Sequence, residues 1–203
     1  RLLYRGSINI PKTQSAVNGV KMRLKSLKQI RKGRFLSGYE LTYSNKEEKD
    51  KVYEMVSRED DLSADTIGKR AAGVAIAGFK DDRVLLIKEF RMGVNQWVWA
   101  FPAGLIDGNE TAKQAAAREL KEETGMDIVS VTDILNPSFS CTGVTDEKSY
   151  FVFCKVDGNI QECDFPDEDI KAGLYTKEEV RKLLETEVFS ARTQAVCYLW
   201  SRG

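Results

Sequence analysis

Residues 104–126 read GLIDGNETAKQAAARELKEETGM. Five residues separate Gly104 from Glu110, and seven separate Glu110 from the Arg118–Glu119 pair. Glu122, Glu123 and Gly125 complete the pattern, with apolar Leu120 and Met126 among them. Thr111 followed by Gln114 is a capping-box pair, so a helix is predicted to begin there. Ala112, Ala115, Ala116, Ala117 and Leu120 are strong helix formers, and Gly125 suits the residue just past a helix end. Residues three and four apart share a helix face, which gathers Glu119, Glu122 and Glu123 and turns Ala116 and Leu120 toward a core. Three carboxylates that close repel one another. A hard divalent cation, Mg2+ or Mn2+, relieves that repulsion through oxygen ligands. A solvated acidic helix face is the alternative, but the preceding loop argues for a site. Gly104 and Gly108 let backbone approach a ligand closely, and Glu110 can fold back onto Arg118 to fasten the loop to the helix.

Working outward, 203 residues suffice for one domain with a sizeable core and a smaller appendage. With 42% apolar and 31% charged residues the chain falls among globular proteins rather than disordered ones. Its formal net charge is zero but unevenly spread: residues 1–60 carry 14 basic and 7 acidic side chains, and the remainder carries 17 and 24. The acidic portion holds the carboxylate cluster, in keeping with cation binding. Residues 21–34 contain seven basic residues and no acid, yet no interleaved aromatics, so a solvated face is preferred and no nucleic-acid partner is expected. The absence of histidine excludes Ser-His-Asp triads and His-ligated zinc. Cys141, Cys154, Cys163 and Cys197 show no Cys-x-x-Cys spacing, and reduced thiols in a cytoplasmic protein are expected. No apolar run approaches the length of a membrane span, so no membrane partner is expected. The opening RLLYRG is too short for a signal-peptide core and lacks an initiator Met, so it is read as a trimmed end.

Residues 1–20 show no periodicity and are read as an irregular arm. Three strand-like runs, about 22–30, 34–43 and 51–58, form a small N-terminal β domain over residues 21–60. Such a meander is too small to stand alone and must pack on the rest or on another subunit. Residues 61–203 form the larger domain. Strands are predicted at 71–79, 83–90, 96–101, 128–136, 149–156 and 171–175, with a helix from Thr176 to Glu185 and another over 190–200. Mixed strands with helices on either side indicate an α/β/α sandwich.

The 104–126 pattern resembles the signature of the Nudix hydrolase family over its whole length. At about 6% usage per residue type, seven fixed positions coincide by chance roughly a few times in a billion start points. Met126 stands where the family more often has Ile, Leu or Val, and is still apolar. The resemblance implies a Nudix-type sandwich with a mixed sheet, here preceded by the antiparallel meander. It also implies divalent-metal-dependent attack of water on the diphosphate of a nucleoside diphosphate joined to another group, chemistry in which the protein supplies position and charge. Glu119, Glu122 and Glu123, with the Ala103 carbonyl, are the implied metal ligands. Glu122, Glu123 and Arg118 are the implied catalytic residues.

The flanks resemble the ADP-ribose pyrophosphatase branch. EFRMGVNQWVWAFPAGLIDGNE at 89–110 is close to that branch's run before the signature, and the meander ending YEMVSR at 53–58 looks like its amino-terminal domain. The likeness covers about residues 21–200. It implies a nucleoside diphosphate sugar as substrate, ADP-ribose cleaved to AMP and ribose 5-phosphate. It further implies a homodimer in which each meander helps build its twin's site. Tyr53 would stack on adenine, with Phe35 as a second stacking position, and Arg58 and Arg91 would contact substrate. Tyr53 and Phe35 as strand-packing residues and Arg58 as a surface charge are the alternatives. The branch usually carries Pro sixteen residues past the signature, where this chain has Thr142, and Pro137 is out of register. That departure brings GDP-mannose or another nucleotide sugar into view. PDEDI at 166–170 resembles the loop that supplies a further metal ligand or the base, with Glu168 the first choice and Asp169 the reserve. Some Nudix domains bind nucleotides as sensors without cleaving them. Here all the signature acids are present and no DNA-binding helix pair is appended.

Overall fold

The computed structural model describes residues 22–203 except 162 and 164, so the arm expected over 1–20 lies outside the described residues. Strands β1 (Arg23–Arg31), β2 (Ser37–Ser44) and β3 (Asp50–Ser57) form an antiparallel sheet of their own, in that order. Tyr39 and Leu41 on the middle strand are its buried apolar residues. Phe35, expected inside the second strand, instead precedes it. A Cβ on Gly33 would lie 2.2 Å from the Leu36 carbonyl oxygen, so the chain turns too tightly there to continue as a strand.

The larger sheet has seven strands: β4 (Gly73–Lys80), β5 (Arg83–Arg91), β6 (Gln96–Ala100), β7 (Ala103–Leu105), β8 (Asp127–Phe139), β9 (Lys148–Asp157) and β10 (Ile170–Thr176). Its main order is β10-β5-β4-β9-β8, with β4 and β9 parallel and the other pairs antiparallel, so the sheet is mixed. β4 and β5 pair beside their turn, at Phe79↔Val84 and Lys80↔Arg83. Beyond that point they part, and the following chain fills the gap. β6 lies on β5 (Ile87↔Ala100) and β7 lies on β4 (Gly73↔Leu105).

Helix α1 (Ala112–Thr124) covers one face, and α2 (Lys177–Thr186) and α3 (Ala191–Arg202) cover the other. Alternation along β4 sorts its side chains. Val74 and Ile76 pack with Ala115, Ala116 and Leu120 of α1, whereas Ala75 and Ala77 pack with Val180 and Cys197 of the other layer. Burial on both faces explains why β4 reads as an unbroken apolar run. Leu120 is fully buried, a placement that stabilises by about 1.5–3 kcal/mol. The result is the expected α/β/α sandwich preceded by a small antiparallel sheet. No helix among the described residues is long and apolar enough to cross a membrane.

The small sheet joins the large one along the loop before β9. The Val56 amide donates to the Val144 carbonyl at 2.9 Å, and the Tyr53 hydroxyl donates to the Gly143 carbonyl at 2.7 Å. Arg58 Nε lies 2.8 Å from Glu147 Oε2.

Candidate functional site

The site is built on α1 and the loop that feeds it. Thr111 caps the helix through a complete capping box with Gln114, and Gly125 ends it in the left-handed region, φ 73°. The helix therefore starts and stops where its sequence requires. Arg118 then fastens the loop. Its Nε and Nη2 donate to the two oxygens of Glu110, each at 2.9 Å, and Nη2 also donates to the Leu105 carbonyl at 2.9 Å. The Asp107 amide donates to Glu110 Oε2 at 3.0 Å. The Arg118 guanidinium, aided by that amide, holds the Glu110 carboxyl down to about 2. Nη1 of Arg118 reaches Glu119 at 2.8 Å and Glu122 at 3.0 Å.

Gly104 approaches the helix so closely that a Cβ there would lie 2.0 Å from the Glu119 carboxyl carbon. Beside it the Ala103 amide donates to Glu123 Oε2 at 3.1 Å. Glu123 is 6% exposed. Burial pushes its carboxyl up to about 9, against the Ala103 amide and reinforced by Glu89, Glu119 and Glu168. Burial likewise raises Glu119, opposed by Arg118 and assisted by Glu122 and Glu168. Glu168 is raised by desolvation and by Glu89, with Arg91 opposing. These carboxylates thus feel one another from three places: α1, β5 and the loop before β10. The Phe90 amide donates to the Asp169 carbonyl at 3.0 Å and Ile170 pairs with Glu89, which brings Glu168 beside β5.

Glu89 belongs to this cluster although its sequence did not single it out. Lys88 and Glu89 are adjacent on a strand buried on both faces, and the run RVLLIKEF does not say which one turns toward α1. Lys88 goes the other way and meets Glu187 at 2.7 Å.

No group of three or more acidic or thiol side chains among the described residues is arranged as a ready-made metal cage. The ion pairs explain why: the Arg118 guanidinium stands between Glu119 and Glu122 and supplies the positive charge there. The donor chemistry nevertheless fits a hard divalent cation. All the side-chain donors are carboxylate oxygens, and buried Glu123 has a neutral amide, not a cation, as its hydrogen-bond partner.

Of the residues expected to bind or act, Arg118, Glu119, Glu122, Glu123 and Ala103 come together, and Glu168 stands beside them. Arg91 forms an ion pair with Glu89 at 2.7 Å. Tyr53 and Arg58 lie at the joint between the two sheets, bound to Gly143 and Glu147. Phe35 is 71% exposed, with the Arg34 guanidinium 5.0 Å from its ring centre. Tyr53 and Thr142 line one cavity of about 250 Å³, with Tyr43, Met55 and Phe139.

The NUDIX domain family matches residues 69–195. An ADP-ribose pyrophosphatase of Bacillus subtilis is 30% identical over 138 residues, 66% of this chain and 74% of that protein. An uncharacterised Nudix hydrolase of Schizosaccharomyces pombe is 32% identical over 109 residues. The chain spans 53% of that relative's length and 35% of that of a Caenorhabditis elegans relative. A solved ADP compounds hydrolase has the same fold, with a TM-score of 0.69 at 22% identity over 90% of this chain and 92% of its own. The chain belongs to the Nudix hydrolase family, its NUDIX domain occupying residues 69–195.

Proposed function

We propose that this chain hydrolyses the pyrophosphate bond of a nucleoside diphosphate sugar, with ADP-ribose and water giving AMP and ribose 5-phosphate. The observation that carries the reading is the placing of Glu119 against Gly104 and of buried Glu123 on the Ala103 amide, with Glu122 joined to Glu119 through Arg118. The relative named as an ADP-ribose pyrophosphatase supports the choice of substrate.

Glu119, Glu122 and Glu123, with the Ala103 carbonyl, would hold Mg2+ or Mn2+, which supplies charge to phosphate oxygens and acidifies water. Arg118 bridges Glu119 and Glu122 through one nitrogen and keeps the loop on the helix. Glu168, whose proton affinity is raised, accepts the proton of the attacking water. Arg91 and Arg58 offset diphosphate charge through their forked donors. Tyr53, with Phe35 in support, offers a ring face to the base. In this reading residues 21–60 form a separate domain at the interface of a homodimer.

A second reading, GDP-mannose or another nucleotide sugar, rests on Thr142 in place of a rigid proline. The test is kcat/KM with Mg2+ for ADP-ribose, ADP-glucose, GDP-mannose and diadenosine polyphosphates, together with Glu123→Gln and Glu119→Gln. ADP-ribose is expected among the better substrates, and both variants are expected to lose most turnover while folded. ADP-ribose more than about a hundredfold below another member, roughly 2.7 kcal/mol of transition-state binding, would hand the assignment to the winner. Near wild-type turnover in both variants would remove the carboxylate site from the reading.

A further inference from the structure

Phe101, Pro102 and Ala103 carry the chain from β6 to β7 within the large sheet, and each is tied down by a different partner, on one side of the sheet or the other. Pro102 has no amide hydrogen, but its carbonyl accepts from the Ile76 amide at 2.8 Å. The Ala103 amide is held by Glu123 on the α1 side. The Phe101 ring packs in the opposite layer, against Phe151, and its amide donates to Thr193 Oγ1 at 2.9 Å. Thr193 is 2% exposed, in the first turn of α3.

A hydroxyl at the residue before a helix ordinarily caps that helix. Here Ser190, the residue preceding α3, makes no side-chain cap bond, and its Oγ lies 2.9 Å from Thr193 Oγ1. Thr193 Oγ1 thus accepts from both the Ser190 hydroxyl and the Phe101 amide. The segment leading into α3 grips the same strand: the Trp99 amide donates to the Val188 carbonyl at 2.8 Å, and the Ser190 amide donates to the Trp99 carbonyl at 2.9 Å. Trp99 Nε1 donates to Glu187 at 2.9 Å. Thr193 and the segment before α3 therefore hold β6 and the turn that leads to Ala103, from the side remote from the carboxylates.

We infer that Thr193 is a positioning residue for the carboxylate site on the far side of the sheet. It touches neither substrate nor cation. It fixes the Phe101 amide, and through Pro102 the placement of Ala103 against Glu123. Removing its hydroxyl leaves a buried amide unpaired, so the turn shifts to find a new partner. The movement is delivered two residues later, at the Glu123 contact.

The catalytic part of the test rests on the proposed hydrolysis, and the other parts do not. Thr193→Val and Thr193→Ser are compared with the wild type for kcat and KM, for Mn2+ affinity by electron paramagnetic resonance, and for Ala103 amide exchange. Thr193→Val is expected to lose at least about tenfold in kcat with KM within about twofold, to bind Mn2+ more weakly and to exchange Ala103 faster. Thr193→Ser should restore all three. A Thr193→Val protein that differs from the wild type in melting temperature alone would overturn the inference. For a Thr193→Val protein that does not fold, Ser190→Ala decides, since it removes the hydroxyl beside Thr193 and is expected to show the same changes at smaller size. Unchanged Ala103 exchange and Mn2+ affinity in Ser190→Ala would overturn it. A wild type that hydrolyses none of the panel defeats the hydrolysis reading but leaves Mn2+ affinity to judge the positioning. A wild type that binds no Mn2+ leaves Ala103 exchange to judge it.

Discussion

At Gly104 there is no room for a methyl group, because the space a Cβ would take is filled by the Glu119 carboxylate. Gly104→Ala must push either the loop or Glu119 aside. A misplacement of about 1 Å at such a site costs on the order of a hundredfold in kcat, and the melting temperature is expected to change much less. Steady-state kinetics beside a thermal melt would check both. The thiols give a pH prediction. Burial pushes Cys154 and Cys197 from an ordinary 9.0 up to about 12. Their folded values are raised, so the stability they contribute is fully present below about pH 9 and is lost as pH rises toward 12, at about 1.4 kcal/mol per pH unit for each thiol. Denaturant titrations across that range should show a steep loss that Cys154→Ala and Cys197→Ala each make shallower. Some of this was legible in the sequence and some was not. The Glu110–Arg118 pair could be read because both residues belong to one contiguous pattern. Glu89 and Thr193 could not, because each acts across strands that meet only in the folded chain.

α1 is the element whose sequence and structure agree most closely, since its start, its end and its buried face are all set by local rules. Thr111→Ala removes the capping oxygen and is expected to cost about 1 kcal/mol, which for a chain of this size lowers Tm by about 2–4 °C. Calorimetry would measure it, and Thr111→Ser should recover most of the loss. β7 marks the opposite case. Three residues carry no periodicity, and Ala103–Leu105 becomes a strand because the parted β4 offers it an edge. The tight passage between the two is visible at Gly73, where a Cβ would lie 2.5 Å from the Gly104 carbonyl oxygen. The late start of β2 has a similar origin in the close turn at Gly33. Local propensity reports none of these contacts, so the longer elements were legible, and β7 and the start of β2 were not.

The molecule as a whole leaves apolar side chains uncovered on and beside its small sheet: Met22, Ile30, Phe35, Leu36 and Val52 are exposed. The proposed homodimer would cover these side chains. Light scattering at assay concentration should give twice 22.9 kDa, and charged substitutions at Ile30 and Val52 should shift the mass toward one chain. A stable monomer in the wild type would count against the dimer. The parallel pairing of β4 with β9 has a consequence for how the protein is made. Gly73 leaves the ribosome early and must wait for Ser149, its partner in register, before the middle of the sheet can close. Until then its apolar face has α1 on one side and nothing from the C-terminal helices on the other. Long-range pairing of this type is slow and leaves strands open to aggregation. Nascent chains stalled before Lys148 should therefore be protease-sensitive and chaperone-bound, and those stalled after the α3 segment has emerged should be protected.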